Sequence, residues 1–318
     1  MNKILIGYPL DRYKEFDDIL LSIGQRYKVV VKDYDYEWLR KNIRHFEIVI
    51  PSLKVTIDDA IMREANKLKL IFTPTTGCDH IQLGKNYKGL RIFSLNHFRK
   101  EITSISSTAE LAFSMILALS RRIVLAQRNI VDKARWDRNS FLGKELTGKV
   151  IGIVGLGRIG KKIGNYGKAF GMQVTYWDKR KSSKWTKISS LNELLSRSDY
   201  IVLSLPLDKD TYHLINRRNI KFIKEGSILV NISRGKIAEE KALCEALERG
   251  FLWGVGVDVL EFELEDFRKS PLYLYAVKHP KTNIVITPHI GGATIDAWRK
   301  VFPLVIGRIL KRKEWYGT

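Results

Sequence analysis

Cysteine is scarce in this chain. Cys78 and Cys244 are the only two in 318 residues. They share no metal-ligand spacing, and two thiols cannot build a disulfide framework, so a reduced, cytoplasmic setting is expected. Cys78 reads as a small apolar filler in its loop. Long apolar runs are missing as well. No uninterrupted stretch approaches the roughly 18 residues of a membrane span, so no membrane association is expected. The opening run 1–7 is ended by Tyr8, Pro9 and Asp11, too soon for a signal peptide. His45, His80, His97, His213, His279 and His289 show no ligand spacing among themselves, and no metal site is expected. Internal repeats and low-complexity segments are lacking. The last shortage is of acid: 34 Asp+Glu stand against 55 Lys+Arg, a net charge of +21. Such an excess can serve nucleic acid. Here the basic residues are scattered, apart from the short runs Lys179-Arg180-Lys181 and Lys311-Arg312-Lys313. The reading is a solvated surface whose field steers anionic ligands, with no nucleic-acid partner.

What is present describes an ordinary globular protein. The chain is 45% hydrophobic and 28% charged, enough to bury a full core. Its length suits two domains of ordinary size. The first part alternates strand-like runs at 3–7, 27–31, 48–51, 68–73 and 91–94 with helical periodicity, for example Ile57, Ile61, Ala65 and Leu68. Residues 104–130 read as the longest helical segment, capped near Ser106, Ser107 or Thr108 and apolar on nearly all sides, which demands burial in a core or a subunit interface. From Thr147 onward the alternation is regular. Strand candidates are 150–154, 173–177, 200–203, 227–231, 252–257 and 283–286, and a helix over 158–170 presents Ile159, Ile163, Tyr166 and Phe170 on one face. The tail 293–311 reads as an amphipathic helix. The expected fold class is α/β, with two Rossmann- or flavodoxin-like domains built on doubly wound parallel sheets.

The run Val150–Val154 leads directly into Gly155-Leu156-Gly157-Arg158-Ile159-Gly160, and a second apolar run then ends at Asp178. Strand, Gly-x-Gly-x-x-Gly, helix, strand and acid together make the dinucleotide-binding fingerprint. Gly155 allows the tight turn, Gly157 lets backbone approach a pyrophosphate, and Gly160 lets the helix sit close to its strand. The N–H groups of Arg158 and Ile159 face the phosphates at the positive helix end. Asp178 accepts both ribose hydroxyls and repels a 2′-phosphate, so NAD is favoured over NADP.

Three polar residues follow, each at the end of a strand candidate. Arg234 follows 229–233 and precedes Gly235, Glu263 lies just past 254–259, and His289 follows 284–288. Carboxyl ends of parallel strands are where ligands bind in such sheets. An Arg fork grips a carboxylate, a His exchanges a proton with an oxygen, and a Glu beside it favours the protonated ring and holds it. The other histidines have no comparable setting and read as structural or surface groups.

These residues resemble the D-isomer-specific 2-hydroxyacid dehydrogenases, the family of D-lactate, D-glycerate and D-3-phosphoglycerate dehydrogenases. The resemblance runs through Gly77-Cys78-Asp79-His80-Ile81, Thr108-Ala109-Glu110-Leu111, Leu146-Thr147-Gly148-Lys149, the glycine turn, Leu205-Pro206-Leu207 with Thr211, Asn231-Ile232-Ser233-Arg234-Gly235, 258–263 and Thr287-Pro288-His289-Ile290-Gly291-Gly292. It implies NAD-linked interconversion of a small anionic 2-keto acid and a D-2-hydroxy acid. In that reading Arg234 binds substrate, Glu263 is the acidic partner and His289 the acid/base. Thr76 and Gly77 offer backbone N–H groups to the substrate carboxylate. Asp258 and Gly291 lie near the nicotinamide, and Leu205, Pro206 and Thr211 flank the adenosine. Thr108, Ile232 and His289 itself join the cofactor set. The resemblance further implies an NAD domain, 99–289, inserted into a discontinuous substrate domain, 1–98 plus 290–318. It also implies a closing cleft and a homodimer formed through the long helix near Thr108.

The chain departs from the family pattern at Leu264, Gln82, Ser204, Pro51 and the long segment 96–102, none of which touches the Arg–Glu–His set. Pro51 stands where phosphoglycerate enzymes tend to carry an arginine. No regulatory tail is expected after Thr318. The alternatives are phosphoglycerate dehydrogenase or glyoxylate/hydroxypyruvate reductase specifically, formate dehydrogenase, whose acidic position resembles a Gln rather than Glu263, and an NAD(H)-sensing corepressor-like binding protein.

Overall fold

The computed structural model describes residues 1–85, 87–179 and 184–311. The chain divides into two compact units, Met1–Ile105 with the segment from Thr294 onward, and Ser106–Ala293. The divisions lie a few residues beyond 98 and 289. Core packing explains the first shift: Leu95, Ile102 and Ile105 are buried in the first unit's core. The second follows from hydrogen bonds that tie Ile290 and Gly291 to Asp258.

In the first unit, β1 (Lys3–Ile6), β2 (Lys28–Val31), β3 (Ile48–Ile50), β5 (Leu70–Thr73) and β7 (Arg91–Ser94) form a parallel sheet in the order β2-β1-β3-β5-β7. A two-residue pair, β4 (Ile57–Asp58) with β6 (Ile81–Gln82), lies apart from it. Successive side chains of a strand point to opposite faces, so one sheet feeds two cores. Ile4, Ile6, Ile48, Ile50 and Phe72 pack with α1 (Asp17–Gly24) and with α10 (Ile295–Leu310) through Phe302, Val305 and Ile309. Leu5, Val49 and Ile71 face α2 (Tyr36–Asn42) and α3 (Asp59–Glu64) through Leu39 and Ile61. The periodicity Ile57–Ile61–Ala65–Leu68 is corrected in part: all four are buried, but Ile57 is in β4 and the helix ends at Glu64.

In the second unit, β8 (Val150–Val154), β9 (Gln173–Trp177), β10 (Thr186–Lys187), β11 (Tyr200–Leu203), β12 (Ser227–Asn231), β13 (Leu252–Val257) and β14 (Ile284–Ile286) form a parallel sheet in the order β10-β9-β8-β11-β12-β13-β14. The order reverses between β8 and β11, the switch point where such sheets bind ligands. The two-residue edge strand β10 carried no periodic signal in the sequence. Ile151, Ile153, Val202 and Val230 pack on one face against α4 (Ser107–Ser120), through Ala112, Met115, Ile116 and Leu119. Leu203, Leu229, Val255 and Val257 pack on the other, with α7 (Leu191–Arg197) and α8 (Glu240–Glu248). Glu101–Ser120 is long and apolar enough to cross a membrane by length and composition alone. Burial of Ala112, Ile116 and Leu119 makes its helical part a core element.

The long helix expected over 104–130 is two helices. α4 ends at Ser120, and α5 (Ile123–Lys133) begins after Arg122, whose φ of 52° is left-handed. No Gly or Pro announces the break. Tertiary contacts hold it: the Arg122 guanidinium donates to Ser140 O at 2.9 Å and lies over the rings of Phe141 and Trp253. The longest described helix is α10, 16 residues. Helix α6 (Arg158–Ala169) ends one residue before Phe170, whose ring packs on Phe113 with centroids 4.8 Å apart. The remaining α-helix among the described residues of this unit is α9 (Pro271–Lys278).

Candidate active site

The glycine turn follows β8. Gly155 has a φ of +98°, and a Cβ there would fall 2.5 Å from Leu205 Cδ2 and 2.7 Å from Ser204 O. A Cβ on Gly160 would fall 2.2 Å from Gly155 O, so the start of α6 lies directly on the turn. Gly157, at the N-cap of α6, has no side-chain cap, and a Cβ there would meet nothing within 4 Å. That open cradle at a helix N-terminus suits a pyrophosphate. Arg158 opens the helix, and burial pushes its guanidinium down; an anion would compensate the lost hydration. Ile159 packs against the unit's core beside it.

Asp178 follows β9 and accepts from the Leu156 N–H at 2.7 Å, which joins the acid to the turn. Of the cations after it, Lys179 pairs with Asp210 at 3.0 Å. Arg180 and Lys181 lie outside the described residues, as do Arg312 and Lys313. Beyond β11, Leu205 N–H donates to Ser233 Oγ at 3.0 Å, and Thr211 Oγ1 donates to Pro206 O at 2.7 Å. Ile232 is buried just past β12. These residues fit the nucleotide that the fingerprint predicts. Reading Asp178 as the selector against a 2′-phosphate has a direct check. Asp178→Asn keeps an acceptor for Leu156 N–H and removes the charge. The NADH-over-NADPH preference in kcat/KM is expected to fall by about tenfold or more, as loss of a like-charge repulsion predicts.

Parallel pairing of β12, β13 and β14 brings their carboxyl ends side by side. After β12, Asn231 shapes the turn: its Nδ2 donates to Arg234 O at 2.9 Å, and its Oδ1 accepts from Ser233 N–H at 3.0 Å. Arg234 is half-buried there, with one guanidinium N–H to Ser233 O at 2.7 Å. After β13, Asp258 is buried, and burial raises its carboxyl above the ordinary range. It accepts from Thr287 Oγ1 at 2.6 Å, Ile290 N–H at 2.8 Å and Gly291 N–H at 2.8 Å. Gly291 O in turn accepts from Thr108 Oγ1 at 3.0 Å, which places Thr108 and Gly291 together. This bonding holds the turn after β14, where His289 has a φ of 54°, a conformation that costs a non-glycine residue energy unless its surroundings impose it.

The turn brings His289 to Glu263. Nδ1 lies 3.1 Å from Glu263 Oε1, with both side chains about one-fifth exposed. The other carboxylate oxygen, Oε2, accepts from Leu260 N–H at 3.3 Å. With Nδ1 engaged, Nε2 is the ring nitrogen left for another proton acceptor. Thr76 and Gly77 belong to the first unit, in the loop after β5. There Gly77 O accepts from Thr75 Oγ1 at 2.7 Å, and Thr76 O from Asn96 Nδ2 at 2.7 Å.

Two groups near these strand ends were not singled out by the sequence. His213 read as structural or surface, yet its Nε2 lies 3.3 Å from Glu261 Oε1. Glu240 gave no signal, since a Glu in the first turn of a helix is ordinary.

Comparison with known proteins bears on the whole arrangement. Residues 113–291 match the family described as D-isomer specific 2-hydroxyacid dehydrogenase, NAD binding domain. A glyoxylate reductase of Pyrococcus horikoshii is 33% identical over 295 residues, 89% of this chain and 84% of that protein. A hydroxypyruvate reductase of Thermotoga maritima is 32% identical over 97% of each chain. The crystal structure of a D-lactate dehydrogenase from Aquifex aeolicus, complexed with NAD and lactic acid, superposes with a TM-score of 0.80 at 27% identity, covering 98% of this chain and 96% of that one.

Proposed function

Because the chain belongs to the D-isomer-specific 2-hydroxyacid dehydrogenase family, we propose that it reduces a small 2-keto acid of the glyoxylate or hydroxypyruvate type, reversibly and with NADH. The observation that carries this reading is the His289–Glu263 contact of 3.1 Å beside the Arg234 turn. It supplies a proton donor, the carboxylate that orients it and an anion clamp at adjoining strand ends. The names of the Pyrococcus and Thermotoga relatives support the substrate class.

Bound NADH supplies the hydride that C2 of the keto acid accepts. His289 Nε2 gives a proton to the carbonyl oxygen, so the product is the neutral hydroxyl of a 2-hydroxy acid. Glu263 holds the ring through Nδ1 and stabilises the imidazolium before the transfer. Arg234 binds the substrate carboxylate with its planar fork and polarises the carbonyl. Glu263 disfavours a formate dehydrogenase, whose reaction needs no proton donor.

The test is NADH oxidation with glyoxylate, hydroxypyruvate, pyruvate and phosphohydroxypyruvate. Turnover with the first two is the expected result. Turnover only with the phosphorylated acid would move the assignment to phosphoglycerate dehydrogenase. Tight NADH binding without turnover of any would leave the NAD(H)-sensing alternative.

A homodimer is part of the same proposal. α4 buries one face in the core, and the large apolar side chains exposed beyond it include Ile123, Val131, Trp136 and Leu142 on and after α5; Trp136 is 90% and Leu142 72% exposed. These four large exposed apolar side chains within twenty residues of chain support a second copy docking there. The double variant Trp136→Asp, Leu142→Asp is expected to sediment as a monomer at concentrations where the parent chain is a dimer.

A further inference from the structure

A buried carboxylate lies beneath the strand ends that carry Arg234 and Glu263, and the reaction above makes no use of it. Glu240, the first residue of α8, is 3% exposed. Its Oε1 accepts from Glu261 N–H at 2.8 Å. Its Oε2 accepts from the Ser270 hydroxyl at 2.5 Å and from Leu272 N–H at 3.2 Å. Glu261 returns the contact, its Oε1 accepting from Glu240 N–H at 2.9 Å. Glu239, at the N-cap of α8, makes no side-chain cap bond. A carboxylate from a distant loop therefore serves one of the helix's open N–H groups.

Glu261 and, beyond it, His213 face Glu240 from the loops, and the Cys244 thiol lies further along α8. Burial raises the Glu240 carboxyl above the ordinary range, and its three donors oppose that. A desolvated carboxylate of this kind is an expensive way to gain stability, and an apolar pair of the same shape would often do as well. What it offers is one defined geometry.

That geometry sets the turn that carries Glu263. Glu261 sits inside it, and Glu263 N–H closes it on Leu260 O at 3.3 Å. The turn also lies directly on the Arg234 turn: a Cβ on Gly235 would fall 2.0 Å from the Leu260 carbonyl carbon. Glu261 is thus part of a turn that touches both Glu263 and the Arg234 turn.

We propose that Glu240, through its reciprocal hydrogen bonds with Glu261, is a positioning residue that holds Glu263 in register with His289. The proposal rests on the acid/base reading of His289 given above. Glu240→Gln tests it. An amide has one acceptor oxygen and directs two N–H donors at a site where every partner also donates. The turn relaxes, and Glu263 no longer stabilises the imidazolium. Reduction needs the protonated ring, so activity is lost as pH rises through the ring's titration. The alkaline limb of kcat/KM for glyoxylate is therefore expected to move to lower pH than in the parent protein, while NADH affinity measured by fluorescence stays the same.

A second readout needs no turnover. The His289 ring resonances, titrated by NMR in the protein without cofactor, are expected to shift in the same direction. Asp258 and Glu263, the acids beside that ring, are unchanged in this variant. Ser270→Ala removes one donor to Glu240 and is expected to give a smaller shift of the same sign; it carries the test if Glu240→Gln does not fold. A folded variant whose pH limb and ring titration both match the parent overturns the proposal, and so does a loss of activity equal at every pH. If the parent protein reduces no keto acid, the proposed reaction fails, while the ring titration still decides the role of Glu240.

Discussion

Replacement of His289 by Ala is expected to lower the turnover of keto-acid reduction by about 10²–10⁴, the usual contribution of a positioned general acid. NADH binding should change little by comparison, because the glycine turn and Asp178, which hold the pyrophosphate and ribose, are on other strands. His289 stands in the left-handed region with a φ of 54°, so a loss in the alanine variant could be charged to backbone strain. His289→Asn answers that objection, since Asn tolerates this conformation better than most residues but cannot deliver a proton at neutral pH. Both variants should lose turnover with little change in thermal midpoint. Near-normal rates with every accepted keto acid would remove His289 from the chemistry.

The second large effect is at Arg234. A guanidinium fork on a carboxylate makes two charge-assisted hydrogen bonds, each worth about 1.5–3 kcal/mol. Arg234→Gln is expected to lower kcat/KM for the keto acid by about 10²–10⁴, at about 1.4 kcal/mol per factor of ten. Much of the loss should be a raised KM, because the carboxylate is bound in both ground and transition states. Arg234→Lys keeps the charge without the fork and should recover only part of it. The Arg234 turn is shaped by Asn231 through Arg234 O and Ser233 N–H, so these side-chain changes leave the backbone in place. An unchanged KM with a reduced kcat would instead assign Arg234 to carbonyl polarisation alone.

Much of the second unit was legible in the residues. Short β-branched runs such as Val150–Val154 and Ser227–Asn231 are buried on both faces, and their boundaries follow from where polar and glycine residues resume. The glycine turn carries its own geometry, because Gly155 requires a positive φ and Gly160 a close approach that no other side chain allows. Arg234, Glu263 and His289 stood out because each follows an apolar run that reads as a strand. The break at Arg122 was not legible. It depends on Ser140, Phe141 and Trp253, and no local propensity encodes contacts so far along the chain. The two-residue strand β10 was too short for any period to register.

The sequence by itself determined the cofactor class, the alternation of strands and helices, and the residue types that meet at the strand ends. These depend on local rules of backbone conformation and hydrophobic period. Only the tertiary structure decided which atoms touch. His289 and Glu263 are 26 residues apart in the chain and meet because β13 and β14 pair in parallel, with Asp258 fixing the turn after β14. Glu240 and Glu261 find each other in the same way, through the pressing of the Gly235 turn against Leu260. Such contacts come from sheet order and register, which bring distant turns together at one edge.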